Sequence, residues 1–357
     1  MKRFARGLVV GKFCPLHRGH ELVIDTAAAQ CEAVVVISYT KPEFAGAEPH
    51  RRERWLRERF PAATVLVLDD ARLAQYCGAR GLPVRTLPDN AAADDVHRQF
   101  VAWLCTALLG HKVDAVFTSE AYGPGFAQAL ALSFGHPVRH VGVDPARRAI
   151  AVSGTAVRAD VHGLRHLLAP PVYADFVRRC CFLGGESSGK STLAQALADA
   201  IGSVCVPEFG RTWWEHKDGA LTFEDMLLIA REQVAAEERL AGTARAWLSC
   251  DTSPLTTLFY SGELFGRADA ELARLAERKY DAVFLCAPDF PFVQDGTRQG
   301  AAFRARQHAW YLDELARRRV AYVALTGSMA RRLATVLQTI GADLEVRAAI
   351  ELDEENL

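Results

Sequence analysis

A glycine-rich segment near the middle of this 357-residue chain carries the residues best suited to chemistry. It follows an apolar run typical of a strand, has the pattern G-x-x-x-x-G-K-S, and leads into a stretch with helical spacing. In such a loop the backbone N–H groups surround a phosphate, the lysine reaches the outer phosphates, and the serine hydroxyl can hold Mg²⁺. The pattern predicts a triphosphate-binding loop with Lys190 as catalytic residue and Ser191 as metal ligand. Its predicted nucleotide contacts are Gly184, Gly185, Glu186, Ser187, Ser188, Gly189, Lys190, Ser191 and Thr192.

Two carboxylates follow later strands in the same half of the chain. Asp251 ends an apolar run, at a position from which an acidic residue orders Mg²⁺ or accepts a hydroxyl proton in phosphoryl transfer. Glu208 and Arg211 follow another short strand. We predict Asp251 as catalytic base and second metal ligand, and Glu208 and Arg211 as contacts to substrate or metal.

A polar segment at residues 289–298 has the composition of a mobile lid that brings arginines onto a transferred phosphoryl group. We predict that Asp295 and Arg298 of this segment contact the substrate. Arginines farther along the chain can instead form the solvated face of a helix. Both interpretations stay open for Arg304 and Arg306, whereas Arg317, Arg318 and Arg319 are interpreted as a solvated face.

A second candidate site combines residues from the two ends of the first half of the chain. His17 and His20 form an H-x-G-H pattern between a strand and a helix, and Ser153, Thr155 and Arg158 follow much later. Each pattern alone is weak evidence, because H-x-G-H is often two unrelated polar histidines and Ser153 can simply cap a helix. Their positions within one α/β unit favour a common site.

The elements that would position these residues alternate between strands and helices. In the first half, strands are predicted at 7–10, 33–38, 64–68 and 115–118, with helices at 51–59 and 96–109 between them. In the second half, five strands are predicted, beginning near 179, 203, 246, 281 and 320. Pro170 and Pro171 interrupt the pattern. We therefore predict two α/β domains, residues 1–170 and 171–357, with ligands at the carboxyl ends of parallel strands.

Composition limits the class of protein. The formal net charge is -1 and no basic tract is present, which argues against nucleic acid as the main partner. The 9 cysteines form no C-x-x-C pair, a pattern typical of reduced thiols in a cytoplasmic protein. No apolar run is long enough to span a bilayer, so no membrane association is expected. Composition is compatible with a homo-oligomer.

The first half resembles the nucleotidyltransferase superfamily with H-x-G-H and S-x-T-x-x-R signatures. Residues 11–13 before His17, and Thr118-Ser119-Glu120 after the fourth strand, make it similar to nicotinamide-mononucleotide (NMN) adenylyltransferases. The resemblance implies a Rossmann-like domain in which His17 and His20 catalyse adenylyl transfer from ATP to NMN, giving NAD and pyrophosphate. The implied ATP contacts are Gly11, Lys12, Phe13, His17, His20, Ser153, Thr155 and Arg158. Asp144 and Arg148 are either part of this site or a polar turn. Trp55 and Trp103 are candidates to stack on nicotinamide, although both fit the core of amphipathic helices better.

The second half resembles the ribosylnicotinamide kinase domain of NadR-like bifunctional proteins. The resemblance rests, in order, on residues 184–192, 208–211, 251–257 and 291–298. It implies a P-loop kinase domain with a five-stranded parallel sheet, which uses ATP and Mg²⁺ to convert nicotinamide riboside to NMN. Trp213 and Trp214 then become candidates to stack on the nicotinamide ring, with burial in the core expected for at least one of them. The repressor members carry an N-terminal helix-turn-helix, and the early first strand here argues against a DNA-binding regulator.

Two alternatives remain at this point. One keeps both folds and changes the acceptors, giving another nucleoside kinase fused to an enzyme that adenylylates a flavin or pantetheine phosphate. The other is a regulatory protein that senses NAD and has weak adenylyltransferase activity.

Overall fold

The computed structural model describes residues 2–294, 296 and 298–341. It divides into two units between Tyr173 and Ala174. The predicted boundary after residue 170 lies within the helical turn Pro170–Tyr173 that ends the first unit. Each unit contains one five-stranded parallel sheet, so the predicted α/β class is confirmed. No helix in the described part of the chain combines the length and apolar character needed to cross a membrane.

The first unit is built around a central strand that carries the H-x-G-H turn at its carboxyl end. Its strands are β1 (Phe4–Gly11), β2 (Cys31–Tyr39), β3 (Thr64–Leu68), β4 (Ala115–Thr118) and β5 (Arg139–Gly142). Its helices are α1 (Arg18–Gln30), α2 (Pro49–Arg59), α3 (Asp70–Ala79), α4 (Asp94–Trp103), α5 (Gly123–Phe134), α6 (Gly154–Ala159) and α7 (Pro170–Tyr173). The strand order β3-β2-β1-β4-β5 reverses direction between β1 and β4, and ligands bind at such a switch point.

The core of the first unit consists of apolar side chains from the sheet and from the helices that cover it. Leu8, Val35 and Val116 of neighbouring strands are buried against Phe100 of α4 and Leu130 of α5. The predicted helix at 96–109 begins two residues earlier as α4 and passes into a π-helical turn at Leu104–Leu108. The strand β5 was not predicted, because it is only four residues long and none of its residues is fully buried.

The second unit is built around the strand that enters the phosphate-binding loop. Its strands are β6 (Arg178–Leu183), β7 (Cys205–Val206), β8 (Trp247–Asp251), β9 (Ala282–Cys286) and β10 (Val323–Leu325), in the order β10-β9-β6-β8-β7. Its helices are α8 (Lys190–Ala200), α9 (Phe209–His216), α10 (Phe223–Ala241), α11 (Pro254–Phe265), α12 (Ala270–Leu275), α13 (Ala301–Arg318) and α14 (Met329–Ile340). The central position of β6 places the loop between the carboxyl ends of β8 and β9.

A fully buried arginine on α14 holds the phosphate-binding loop in place. The guanidinium of Arg332 donates to the carbonyl oxygens of Ser188 at 2.9 Å, Gly327 at 3.0 Å and Ala287 at 3.1 Å, and it pairs with Asp289. Ser188 belongs to the loop and Ala287 follows β9. These bonds join the loop, the sheet and α14 through one side chain.

Replacing Arg332 with methionine should lower the free energy of unfolding by about 3 kcal/mol, because the buried carbonyl oxygen of Ser188, two partly buried carbonyl oxygens and Asp289 lose their donor. The neighbouring Arg331 is exposed, so Arg331→Met should change this free energy by less than about 0.5 kcal/mol. Urea denaturation followed by tryptophan fluorescence measures both. Equal losses in the two variants would contradict the structural role given to Arg332.

Candidate functional site

The phosphate-binding loop connects the end of β6 to the start of α8. Two positions of the loop require glycine. Both Gly184 and Gly189 have positive φ, +142° and +84°, which side chains disfavour. Gly184 also has no space for a side chain, because a Cβ would lie 2.6 Å from the carbonyl oxygen of Cys286. The Lys190 Nζ and the Ser188 Oγ donate to the carbonyl oxygen of Gly185 at 3.1 and 2.7 Å. The loop faces a cavity of about 380 Å³, which the predicted residues 186–192 line together.

The two predicted carboxylates lie at the same edge of the sheet. Asp251 ends β8 and is buried, and Glu208 precedes α9 and lines the cavity. Burial raises the pKa of Asp251, while Lys190 and the Ser191 hydroxyl act in the opposite direction. Burial also raises the pKa of Glu208, and the nearby Asp251 carboxylate adds to this rise. The pair therefore holds a proton more tightly than isolated carboxyl groups would.

The donor set beside Lys190 fits Mg²⁺. The described residues contain no group of three His, Cys, Asp or Glu side chains that could hold a metal ion by themselves. The Oδ1 atom of Asp251 is nevertheless buried without a hydrogen-bond partner among those residues, and the Ser191 hydroxyl lies close enough to affect the pKa of this carboxyl. A carboxylate oxygen and a hydroxyl suit a hard cation that takes its other ligands from phosphates and water.

The predicted lid, residues 289–298, and the residue that follows it contact the loop through backbone donors. The N–H of Val293 donates to Ser187 Oγ at 3.0 Å, and the N–H of Gln299 donates to Glu186 Oε2 at 2.7 Å. The other oxygen of Glu186 accepts the Tyr260 hydroxyl at 2.9 Å. Arg298 lines the cavity. The predicted contact Asp295 lies outside the described residues.

The other predicted cations of this half have different surroundings. Arg211 lines the cavity, 4.0 Å from the Glu208 carboxylate. Arg304 donates to the carbonyl oxygen of Phe290 at 2.9 Å, and Arg306 lies 3.5 Å from Glu263. Neither Arg304 nor Arg306 lines the cavity. The composition of the cavity wall therefore does not support the interpretation that these two arginines act on a transferred phosphoryl group.

The two adjacent tryptophans have separate surroundings. The Trp213 ring stacks on Phe209, and its Nε1 donates to Asp225 at 2.8 Å. The Trp214 ring instead lines the cavity, where a Cβ on Gly219 would lie 2.9 Å from it. Apolar side chains complete this end of the cavity: Leu221, Met226, Ile229, Leu264 and Phe265. The cavity thus has a polar end at the loop and an apolar end at Trp214.

In the first unit, the histidine pair begins α1 and caps it. The N–H of His20 donates to Nδ1 of His17 at 3.3 Å, the N–H of His17 donates to Nδ1 of His20 at 3.5 Å, and the rings stack with centroids 3.6 Å apart. Since each Nδ1 accepts a backbone proton, the neutral rings carry their own protons on Nε2. The Nε2–H of His17 is therefore available to an anion at this helix N-terminus, whereas the His20 ring also hydrogen-bonds to the backbone of Pro15.

The late Ser/Thr/Arg cluster lies beside the histidines, as the sequence predicts. Ser153 caps α6 by accepting the N–H of Ala156 at 3.1 Å. The Arg158 guanidinium donates to the carbonyl oxygen of Cys14 at 2.7 Å and to Thr155 Oγ1 at 3.0 Å. A Cβ on Gly154 would lie 4.0 Å from Nε2 of His17.

A cavity of about 510 Å³ unites most of these groups. The predicted residues in its lining are Gly11, Lys12, Phe13, His20, Ser153, Thr155 and Arg158. His17 lines a smaller space of about 80 Å³, which His20 and Ser153 also line. The eight predicted ATP contacts of the first unit are therefore neighbours in the structure.

The segment that begins at Asp144 forms a polar turn, and it also contributes an arginine to the site. Asp144 accepts the N–H groups of Arg148, Ala149 and Ile150 at 2.8 to 3.1 Å, so it shapes a polar turn. Arg147, which the sequence patterns missed, lines both cavities of the site and pairs with Glu120 at 2.9 Å. Its signal in the sequence was only its position one residue before Arg148.

The aromatic residues of the larger cavity also differ from the candidates named from the sequence. Trp55 is buried in α2, and Trp103 packs against the core and under Arg85; neither lines the cavity. Tyr39 and Tyr122 do line it. Tyr39 ends the apolar strand β2, where the sequence does not separate it from core residues, and Tyr122 precedes α5.

The histidines should make stability depend on pH. Burial lowers the pKa of His17 from 6.5 to about 4 and that of His20 well below 6.5, and repulsion from Arg147 adds to both shifts. Between these values the unfolded chain takes up protons that the folded unit does not. The contribution of the neutral histidines to the free energy of unfolding is therefore complete above pH 6.5 and is lost as pH falls towards 4.

We expect His17 alone to account for a loss of about 2 kcal/mol in the free energy of unfolding at pH 5 relative to pH 7.5. Urea denaturation at the two pH values should therefore show a smaller loss in His17→Asn than in the unchanged protein. Histidines outside the pair titrate in both proteins, so the difference reports on His17 together with its effect on the pKa of His20. Parallel losses would contradict a neutral, buried His17.

Comparison of the sequence with known proteins identifies relatives of this chain. The chain is 28% identical over 305 residues to the trifunctional NAD biosynthesis/regulator protein NadR of Escherichia coli (strain K12), covering 82% of this chain and 71% of that protein. The chain is homologous to the NadR proteins. NadR of Salmonella typhimurium (strain LT2) is 27% identical over the same shares of the two chains. A family model described as an AAA domain matches residues 179–332, which contain the phosphate-binding loop.

Solved NadR structures share the fold. A crystal structure of NadR in complex with NAD and AMP-PNP aligns with a TM-score of 0.66 at 19% identity, covering 96% of this chain and 98% of that one. A NadR crystal structure in complex with NR aligns with a TM-score of 0.65 at 19% identity, covering 95% and 97% of the two chains. The order of the two α/β units along the chain therefore matches that of NadR.

Proposed function

We propose that this protein is a bifunctional enzyme of NAD biosynthesis. Residues 171–357 phosphorylate nicotinamide riboside with ATP to give NMN, and residues 1–170 transfer an adenylyl group from ATP to NMN to give NAD and pyrophosphate. The observation that carries the proposal is the pairing, in one chain, of a cavity with both a phosphate-binding loop and an apolar end at Trp214 and a cavity with the histidine and Arg158 donors.

In the kinase reaction, the chain's residues bind and orient two substrates. The loop N–H groups and Lys190 hold the ATP phosphates, while Trp214 and the apolar side chains around it hold the nicotinamide ring. Glu208 and Arg211 contact the riboside. Asp251 accepts the proton of the 5′-hydroxyl, whose oxygen attacks the γ-phosphorus of ATP as the bond to ADP breaks. The raised pKa of the carboxylate pair makes it a better proton acceptor than an isolated carboxylate.

Ser191 and Asp251 would hold Mg²⁺, which neutralises charge on the phosphates when it is bound. Asp251 then acts both as a metal ligand and as the proton acceptor, and the nearby Glu208 carboxylate can take over either role. Arg298 adds positive charge from the lid side of the cavity.

In the adenylyl transfer, no side chain forms a covalent bond. A phosphate oxygen of NMN attacks the α-phosphorus of ATP and pyrophosphate leaves. The Nε2–H groups of His17 and His20 donate to the phosphate oxygens on which negative charge increases, and Lys12 adds a positive charge. Arg158, Ser153 and Thr155 bind the β- and γ-phosphates that depart.

Incubating the purified protein with nicotinamide riboside, ATP and MgCl₂ tests the proposal. Chromatography over time should detect NMN first, followed by NAD and pyrophosphate. Flavin mononucleotide and phosphopantetheine, offered in place of NMN, should not be adenylylated. Unchanged riboside would exclude the kinase assignment, and NMN without NAD would exclude the second activity.

A further inference from the structure

A second cavity in the P-loop unit lies apart from the phosphate-binding loop. Its volume is about 550 Å³, compared with about 380 Å³ for the cavity at the loop, and the two cavities share no lining residue. Its floor is apolar: Cys181 and Leu183 of β6, Leu255 of α11, Val283 of β9 and Leu315 of α13. Such a floor gains free energy when an apolar ligand covers it.

The rim of this cavity is strongly basic. Arg278, Lys279, Arg317, Arg318 and Arg319 line it, and Glu277 is the acidic residue of the lining. Arg278 pairs with Glu237, and Arg317 and Arg318 share Glu314. Lys279 and Arg319 are exposed and form no ion pair within the part of the chain that the structure describes. The three consecutive arginines, interpreted from the sequence as a solvated helix face, therefore border a cavity.

We propose that this cavity is a binding site for a small organic anion: an apolar, ring-sized body on the floor, and a phosphate, sulfonate or carboxylate group held by Lys279 and Arg319. The volume is in the range of small-molecule sites, about 300–1,000 Å³. Charge-assisted hydrogen bonds from two cations beside an apolar floor select for an amphiphilic anion over inorganic phosphate or an uncharged ring. The proposal does not depend on which hydroxyl the unit phosphorylates.

The site shares a wall with the phosphate-binding cavity. Ser253, Pro254 and Leu255 line the second cavity, whereas Thr252, Thr256 and Thr257 of the same segment line the first. Ser253 caps α11 by accepting the N–H of Leu255 at 3.3 Å. The Cys181 thiol on the floor donates to the carbonyl oxygen of Thr252 at 3.4 Å. We expect a ligand on this floor to affect Thr252, the residue next to Asp251, and by linkage we expect nucleotide binding to affect the ligand.

Titration with the fluorescent aromatic sulfonate 8-anilinonaphthalene-1-sulfonate (ANS) tests the proposal. Saturating AMP-PNP, nicotinamide riboside, NAD and MgCl₂ are present, so that the probe is excluded from the phosphate-loop cavity, including its apolar end at Trp214, and from the cavity of the first unit. The probe should still bind, and the double variant Lys279→Gln/Arg319→Gln should weaken its binding by about tenfold. The matched control Arg239→Gln/Arg245→Gln removes two exposed arginines that line neither cavity and should leave binding unchanged.

A variant that fills the floor provides a second measurement. Ala276 lines the cavity, so Ala276→Leu should also weaken probe binding, and its thermal unfolding shows whether the unit remains folded. In the unchanged protein, saturating probe should shift the Kd of AMP-PNP by about fivefold. Complete displacement of the probe by AMP-PNP, or equal binding to Lys279→Gln/Arg319→Gln, would overturn the site. An unshifted Kd would overturn its coupling to the nucleotide cavity.

Discussion

Replacing Lys190 with alanine is expected to reduce phosphorylation of nicotinamide riboside by about three orders of magnitude. Lys190 lies in the phosphate-binding loop, where its Nζ donates to the Gly185 carbonyl oxygen 3.1 Å away, and we expect its charge to stabilise the ATP phosphates. Formation of NAD from added NMN and ATP should remain within about twofold, because that reaction uses the other unit. Both rates are measured by chromatography on the same preparation.

A matched surface change controls for general loss of structure. Arg239 of α10 is exposed and lines neither cavity of the P-loop unit, so Arg239→Ala should preserve both activities. If Lys190→Ala also lost NAD formation from added NMN, the two sites would not be independent. If it kept riboside phosphorylation, the loop would have another role.

Replacing His17 with asparagine should impair the formation of NAD from NMN and spare the phosphorylation of nicotinamide riboside, the reverse of Lys190→Ala. Asparagine is a good helix cap and can still accept the N–H of His20, but it lacks the Nε2–H donor that faces the Ser153 side of the site. Loss of one preorganised donor to the reacting phosphate should slow NAD formation from NMN by about 10²-fold. Riboside phosphorylation should be unchanged. His20→Ala removes a donor that lines the larger cavity and should have an effect of similar size.

His111 is exposed and lines neither cavity of the first unit, so His111→Ala serves as the histidine control. Steady-state assays with NMN and ATP should find the loss in kcat rather than in the KM for NMN, since the donor acts where charge develops in the transition state. A change confined to KM would indicate that His17 only binds substrate.

The parts of the site that the sequence predicts are those with a local pattern. The phosphate-binding loop is specified by glycines whose backbone conformations no other residue adopts readily, and a strand and helix flank it in the chain. Asp251 and Glu208 were predicted as site residues because the carboxyl ends of parallel strands meet at one edge of a sheet. Ser153 and Arg158 were predicted because their pattern comes at the end of the same α/β unit that begins with the histidine pair.

The remaining features depend on contacts between distant parts of the chain. No local pattern separates Trp214 from Trp213: the choice follows from Asp225, which accepts the Trp213 indole N–H, and from Gly219, which leaves space for Trp214. Arg147 could not be preferred over Arg148 without knowing that Glu120 lies nearby. The strand β5 has half-exposed residues at a sheet edge and lacks the apolar run that marks the other strands. The second cavity of the P-loop unit is enclosed by residues from five separate elements.

Glu186 and Ser187 stand at positions that the phosphate-loop pattern leaves unspecified. In this chain each side chain accepts a backbone hydrogen bond from the segment after β9, and Glu186 also accepts the Tyr260 hydroxyl. A change at either position is thus a change in how that segment is tethered. One loop would therefore serve both the proposed binding of the triphosphate and the attachment of this segment.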